Sequence, residues 1–277
     1  MPAPERIPPR RMSGTAVDLI TKGELTVRGR IREASNAVLY CSVSYDGEEA
    51  SCVYKPVAGE QPLWDFPDGT LARREVAAYE ISEVTGWGLV PPTVLRDGPY
   101  GEGMCQLWIE ADESEAAPQL LALVEEKEPA EGWKAIGFAE VGEGRTALLV
   151  HADDARLRRL AVLDAVINNG DRKGGHLLPE AGGHLYAIDH GVTFNVDDKL
   201  RTLLWGWAGE PLPAEAVTVL DRLADELAEG TPLTTRLAEL ITPAETDAVR
   251  SRVQGLRRTG RHPKPSGQWP AIPWPPV

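Results

Sequence analysis

The stretch INNGDRKGGHLL, Ile167–Leu178, places one acid, two bases, a histidine and three glycines between apolar runs. Such a concentration of charge at a turn points to chemistry rather than to packing. Before it, DARLRRLAVLDAVINN opens on Asp153 or Asp154 and carries Leu157, Leu160, Ala161, Val162, Leu163 and Val166, which predicts a helix. After it, GHLLPEAGGHLYAIDHG predicts a hairpin with its turn at 180–183. Two acids, Asp171 and Asp189, thus leave buried elements at loop tips. This suits phosphoryl transfer, in which one acid orients the attacking hydroxyl and takes its proton while a second holds a divalent cation on nucleotide phosphates. Gly170, Gly174 and Gly175 allow backbone conformations and close phosphate approach that larger residues resist.

Upstream, alternating apolar residues and turn signals predict antiparallel strands over 25–31, 37–45 and 49–54, with an Asp-Gly hairpin turn in SYDGEE. LARREVAAYEISEVTG carries Leu71, Val76, Ala77, Ile81 and Val84 at helical spacing and closes on Gly86, so it predicts an amphipathic helix. VPPTVLRDGPYGEGMCQLWIE adds two strands. CVYKP ends its strand on Lys55, within reach of nucleotide phosphates, and the helix offers Glu75 to hold that lysine extended. Taken singly, Lys55 reads as a surface lysine and Glu75 as a helix-surface partner of Arg73 or Arg74. Their order along the chain, ahead of Asp171 and Asp189, carries the functional reading.

The remainder reads as mainly helical, through APQLLALVEEK, AEAVTVLDRLADEL, LTTRLAELI and PAETDAVRSRVQGLRR, the last with Thr242 and Pro243 at its start. The tail TGRHPKPSGQWPAIPWPPV cannot be regular helix, and it is expected to fold back with Trp269 and Trp274 as anchors. The expected class is α+β in two lobes. Residues 1–107 form a small antiparallel-sheet, nucleotide-binding lobe with one helix, and 108–277 a mainly helical lobe with the catalytic loop, the metal-binding loop and the tail.

A chain of 277 residues with a formal net charge of −13 has no surface suited to nucleic acid or an anionic bilayer. Cys41, Cys52 and Cys105 sit in apolar runs and read as core thiols of a reducing compartment. No run is apolar enough to span a membrane, and a cytoplasmic location without stable membrane association is expected.

The order VYKP, REVAAYE, NNGDRKGGH, AIDHG resembles the phosphatidylinositol 3-/4-kinase-like branch of the kinase superfamily, which includes toxin kinases of the HipA type. More narrowly, nearly the whole chain resembles a group of short actinobacterial phosphatidylinositol kinase-like proteins. The resemblance implies a two-lobed, protein-kinase-like fold and an ATP-dependent phosphotransferase. In it Lys55 binds phosphate, Glu75 pairs with it, Asp171 with its neighbour Arg172 forms the catalytic group, and Asp189 is the metal ligand. Two positions depart from the pattern. His176 stands where the family usually has a metal-binding asparagine, and because imidazole suits Mn²⁺ better than Mg²⁺, a preference for Mn²⁺ is expected. Lys173 stands where lipid kinases of the family often have a histidine, which leaves the base role to Asp171.

The loop between the first two strands lacks a GxGxxG pattern, so Ser35 and Asn36 are the expected phosphate caps. For adenine, GMCQLWIE offers backbone groups from Gln106 to Ile109 and the ring of Trp108. In the segment after Asp189, Lys199 and Arg201 are offset by Asp197 and Asp198, which favours a protein or peptide hydroxyl, including the chain's own Thr193 or Thr202, over an anionic lipid. A small metabolite such as a polyol or inositol derivative as acceptor, and a nucleotide-binding pseudokinase, are the alternatives.

Overall fold

A computed structural model of the protein describes residues 14–31, 36–61, 63–66, 70–112, 114, 117–140, 142 and 144–276. The fold is α+β, an antiparallel sheet in the N-terminal region followed by a largely helical C-terminal region. The chain opens on helix α1 (Gly14–Lys22), then β1 (Glu24–Ile31), β2 (Val38–Tyr45), β3 (Glu48–Pro56), α2 (Leu71–Thr85), β4 (Thr93–Gly98) and β5 (Gly101–Leu107). The strands form one sheet in the order β1-β2-β3-β5-β4. Asp46 and Gly47 both take positive φ, 51° and 82°, the left-handed pair that a tight β2–β3 turn requires.

Because side chains alternate across a sheet, Cys41, Val43, Cys52, Tyr54 and Cys105 share one face. Leu19 and Ile20 of α1 cover it and make a dry cluster. The other face carries Tyr40, Val53, Lys55, Met104 and Gln106, and Met104 packs into the main core with α2. Helix α1 had no counterpart in the expected elements. Its C-terminal end is tied by a tertiary contact, since Arg96 Nη1 donates to the carbonyls of Ile20 and Gly23, each at 2.8 Å.

Helix α2 is buried on most of its circumference, so the expected amphipathic surface helix is in fact an interior one. The sheet lies on one side and later helices on the other. Its first amides are capped from a distance: the carboxylate of Glu60 accepts from Leu71 N and Ala72 N, at 3.0 and 2.8 Å. A carboxylate at this end also opposes the positive pole of the helix dipole. Gly86 closes the helix in the left-handed conformation.

The next segment corrects the expectation of a helix over APQLLALVEEK. It holds β6 (Leu121–Val124), which with β7 (Trp133–Glu140) and β8 (Thr146–Ala152) forms a second antiparallel sheet in the order β6-β8-β7. Leu, Ala and Glu favour helix locally, but the strand partners of β6 lie in β8, and pairing across that distance overrides propensity.

From here the expected elements recur: α3 (Ala155–Ile167), the hairpin β9 (Leu177–Pro179) and β10 (Leu185–Ala187), then α4 (Ala214–Glu226), α5 (Pro232–Leu237) and α6 (Pro243–Thr259). Asp154 caps α3 by accepting from Arg156 N at 2.7 Å. Thr242 and Glu245 form a reciprocal capping box on α6. Helices α2 to α6 share one apolar core, with Leu157, Leu160, Leu220, Leu237 and Val249 almost inaccessible. The tail folds back, but only one expected anchor is buried to any degree. Trp269 is half-buried against Trp64, with ring centroids 6.1 Å apart, whereas Trp274 is 72% exposed. No helix among the described residues is long and apolar enough to cross a membrane.

Trp207 sits at the junction of the second sheet with α3. It is fully buried, donates from Nε1 to Asp153 Oδ1 at 2.8 Å, and lies 4.2 Å from the ring of His151. Trp207→Ala is expected to destabilise the fold by about 3–5 kcal/mol, read as a lowered midpoint in urea titration.

Candidate active site

At the end of β3, the ammonium of Lys55 lies between two carboxylates drawn from distant parts of the chain. Its Nζ is 2.7 Å from Glu75 Oε1 on α2 and 2.5 Å from Asp189 Oδ1, just after β10. Burial pulls the Lys55 ammonium down, but the charges of Glu75 and Asp189 outweigh that penalty and raise it overall. Lys55 in turn holds the Asp189 carboxyl below the usual carboxylate range, against the opposing effect of burial. Glu75 is almost wholly buried, and its other oxygen accepts from the His190 backbone N–H at 2.9 Å. The helix carrying it is pinned as well. Arg74 Nη2 pairs with Glu245 of α6 at 2.6 Å, and Arg74 Nη1 donates to the Thr193 carbonyl at 2.7 Å.

Asp171 is reached through a compact polar knot under the loop. Arg172, fully buried, pairs with Asp164 of α3 (Nη2 to Oδ1 and Nε to Oδ2, both 3.0 Å) and donates to the Ile188 carbonyl at 2.8 Å. Its Nη2 also lies 2.7 Å from His190 Nε2. A guanidinium only donates, so Nε2 accepts and the ring proton sits on Nδ1, a buried atom without a partner among the described residues. Burial, then the Arg172 charge, keeps His190 well below its ordinary pKa and neutral. Asn169 closes the knot: its Nδ2 donates to Asp164 Oδ1 at 3.0 Å and its Oδ1 accepts from Asp171 N at 2.9 Å. Arg172 therefore faces the interior, away from any reacting atom, and geometry gives it the part of a positioning residue.

The Asp171 carboxylate stands at the loop surface with Oδ2 3.2 Å from Lys173 Nζ. Burial raises its pKa, with Lys173 opposing. None of Gly170, Gly174 and Gly175 takes a positive φ; the left-handed residues are Asn168 and Asp189, at φ 53° and 59°. Gly170 packs closely instead, since a Cβ there would meet Val192 Cγ1 at 3.1 Å, a tight contact that a small shift of Val192 could relieve.

His176 lies with Nε2 3.5 Å from Asp189 Oδ2, a spacing at which a carboxylate and an imidazole can share one cation. Burial depresses its pKa to about 4, so a ring lone pair is available at neutral pH. That lone pair, however, faces the wrong way. Nδ1 accepts from Lys173 N at 3.4 Å, which leaves the proton on Nε2, the nitrogen turned to Asp189. Ligation through Nε2 would move that proton to Nδ1, against the Lys173 N–H. Asp189 thus fits a phosphate-borne cation, and His176 fits only in its other tautomer. No group of three or more His, Cys, Asp and Glu side chains suited to a metal exists among the described residues, so the remaining ligands would be phosphate and water oxygens.

The remaining expected contacts divide. Ser35 lies outside the described residues. The side-chain oxygen of Asn36 accepts from Gln61 N at 2.9 Å and so braces the loop after β3 rather than facing the cleft. The side chain of Gln106 is almost wholly buried in a central strand, donating from Nε2 to Thr93 Oγ1 at 2.8 Å, so any adenine contact there would have to be made by its backbone. The N–H groups of Leu107 and Trp108 are engaged by the carbonyls of Pro92 and Ser51, each at 3.0 Å. Trp108 meets the ring of Tyr40 edge-on at 5.1 Å, and Tyr40 shares the sheet face of Lys55. Tyr40, Asp164, Asn169 and His190 were all missed as site residues. The sequence holds only a weak signal for them, an acid inside an apolar helix and an asparagine pair at its end.

Fold and site together define an α+β protein in which Lys55 bridges two acids, Glu75 and Asp189, and a third acid, Asp171, stands on a loop held by a buried polar knot. No known family model matches the chain. It is 48% identical over 263 residues to protein Rv2133c of Mycobacterium tuberculosis (strain ATCC 25618 / H37Rv), covering 93% of this chain and 94% of that protein. The chain belongs to the family of that protein. Among solved structures, the Helicobacter pylori proinflammatory kinase CtkA aligns over 87% of this chain and 94% of its own at 12% identity and a TM-score of 0.47. That likeness is too slight to bear on fold or activity.

Breaking the knot leaves an unpaired buried charge. Arg172→Met is expected to cost about 3–5 kcal/mol in chemical denaturation, whereas Arg172→Met with Asp164→Leu recovers much of the loss. His176 and His262 are both held neutral with pKa values depressed to about 4 by burial, so the unfolded chain takes up protons from near pH 6.5 that the folded chain refuses. Their stabilisation is complete above pH 6.5 and declines towards pH 4. The thermal midpoint should fall across that window; a midpoint constant from pH 7 to 4.5 would contradict the assignment.

Proposed function

We propose that the protein is an ATP-dependent, divalent-metal-dependent phosphotransferase of the phosphatidylinositol 3-/4-kinase-like type with an alcohol as acceptor. The observation that carries this reading is the Lys55 ammonium held between Glu75 and Asp189, with Asp171 on the adjoining loop. In this reading the nucleotide lies between residues 1–107 and 108–277, with Tyr40 and Trp108 beside the base. Lys55 neutralises phosphate oxygens, and Glu75, sequestered behind it, keeps it extended. Asp189, with His176 in its Nδ1–H tautomer, would hold Mg²⁺ or Mn²⁺, which supplies charge neutralisation on the phosphates. Asp171 accepts the proton of the attacking hydroxyl while the γ-phosphoryl group passes to that oxygen and ADP leaves. Its raised pKa suits a base, and Lys173 beside it offsets the charge that gathers on the transferring group.

The preference for Mn²⁺ rests on His176 alone. Protein or peptide hydroxyls are one acceptor class, but the expected sites of self-transfer do not fit. Thr193 is fully buried with its hydroxyl donating to the His190 carbonyl at 2.6 Å, and Thr202 is buried with Oγ1 accepting from Leu204 N. A second reading, nucleotide binding without transfer, draws on the engagement of both Asp189 oxygens by Lys55 and His176.

The test is ADP release and ³²P transfer from γ-labelled ATP with Mg²⁺ and Mn²⁺ in parallel. Lys55→Met, Asp171→Asn and Asp189→Asn should each lower turnover by about 10²–10⁴-fold while keeping the far-ultraviolet circular dichroism of the parent. Undiminished turnover in Asp171→Asn would overturn the assignment, and equal rates with both metals would remove His176 from the metal shell.

A further inference from the structure

The C-terminal strip does not simply pad the molecule: it runs over the segment beside Asp171. The loop and the segment after β10 are first laced to each other, with Arg172 N donating to the Arg201 carbonyl at 3.0 Å and Arg201 N to the Asn169 carbonyl at 2.9 Å. The strip then adds to their outer side. The carbonyl of Ala271 accepts from Thr202 N at 3.1 Å and from Trp205 Nε1 at 2.8 Å, and the Ile272 carbonyl from Arg201 Nη2 at 3.4 Å. Pro273 is buried, and the Pro276 carbonyl accepts from Gly174 N at 2.9 Å, three residues beyond Asp171. At the other end Trp269 and Trp64 flank the Lys199 ammonium, which lies 4.5 and 4.6 Å from their ring centroids and pairs with Asp65 at 3.1 Å. This joins the strip to the loop ahead of α2. Among the described residues, a cavity of about 40 Å³ lies between Trp269, Arg201 and Gly170, room for about three waters but not for a peptide side chain of any length.

We infer, on the phosphotransferase reading above, that residues 269–276 form a built-in wall of the acceptor site, which admits a small hydroxyl compound and excludes a protein or extended peptide. A peptide laid across this face would bind through the backbone edge of the segment after β10 and the loop amides. Those donors, Thr202 N, Gly174 N and Trp205 Nε1, already serve the strip. Displacing it forfeits these hydrogen bonds and exposes Pro273 and the packed side of Trp269. A small alcohol needs none of these groups and approaches Asp171 past the rim.

The experiment compares the full chain with a form ending at Gly267 and with Trp269→Ala, which keeps every carbonyl of the strip. Each is given ATP with glycerol, ribose or inositol, or with a Ser/Thr peptide library and unfolded casein, and amide hydrogen exchange is followed at Gly174 and Thr202. The full chain should transfer to small alcohols only, with both amides protected and unaffected by peptide. Shortening the chain, or Trp269→Ala, should free the amides, lower kcat/KM for the small alcohol about tenfold and admit peptide acceptors. Peptide phosphorylation by the full chain, or amides that exchange freely in it, overturns the wall. A shortened form faster on small alcohols overturns it too, since the strip would then be an inhibitory flap. Absence of ATP binding to the full chain, read as no shift in its melting temperature, instead overturns the phosphotransferase reading, while the exchange data still report on the wall.

Discussion

Everything at the site depends on one buried cation. Arg172 has no exposure to solvent, and a guanidinium removed from water is tolerable only if its donors are met. Asp164 comes from α3, the Ile188 carbonyl from the end of β10, and His190 from the residue after Asp189. Because a guanidinium is planar and its donors are fixed in direction, satisfying it sets the position of its own loop against α3 and the stretch after β10. Asp171 lies one residue before Arg172, and Asp189 lies between Ile188 and His190. Asp171 and Asp189 are therefore both placed by a buried group that itself stays in the interior.

The same economy governs the other half of the cleft. Glu75 binds Lys55 with one oxygen and the His190 amide with the other, so the helix, the strand end and the acidic loop share a single carboxylate. Arg74, the preceding residue, ties that helix to α6 and to the Thr193 carbonyl. Adjacent residues on one turn thus fix α2 from two directions. In a low-dielectric setting such paired charges are costly to break one at a time, which favours a single arrangement of α2 over alternatives.

Histidines in this protein are mostly structural and neutral. His151 shows the pattern: Nδ1 faces the Ala152 carbonyl and Nε2 accepts from Gly206 N, so both nitrogens are engaged without a charge. His190 serves Arg172 in the same uncharged form. Gly206 is obligatory at that contact, because a Cβ would lie 2.4 Å from the His151 ring nitrogen. Exposure of an imidazole in the cleft is confined to His176, whose two nitrogens meet a backbone donor and a carboxylate.

What the sequence by itself determined was whatever is encoded locally. The Asp-Gly turn and alternating strands of the first sheet, the caps Asp154, Thr242 and Gly86, and the helix α3 with the charged loop behind it all follow from neighbours a few positions apart. Lys55, Asp171 and Asp189 stood out as charges at the ends of apolar elements, whereas Glu75, inside α2, was picked out only by its order in the chain relative to them. Only the tertiary structure decided the rest. Residues 121–124 are a strand because β8 supplies their partners, against their own helical leaning. Gln106 is buried where Thr93 on the neighbouring strand β4 accepts from its amide, and Arg172 turns inward because Asp164 waits beneath it. The direction of a side chain, and the hydrogen bonds it finds there, are properties of contacts between residues far apart in the chain, and no local pattern records them.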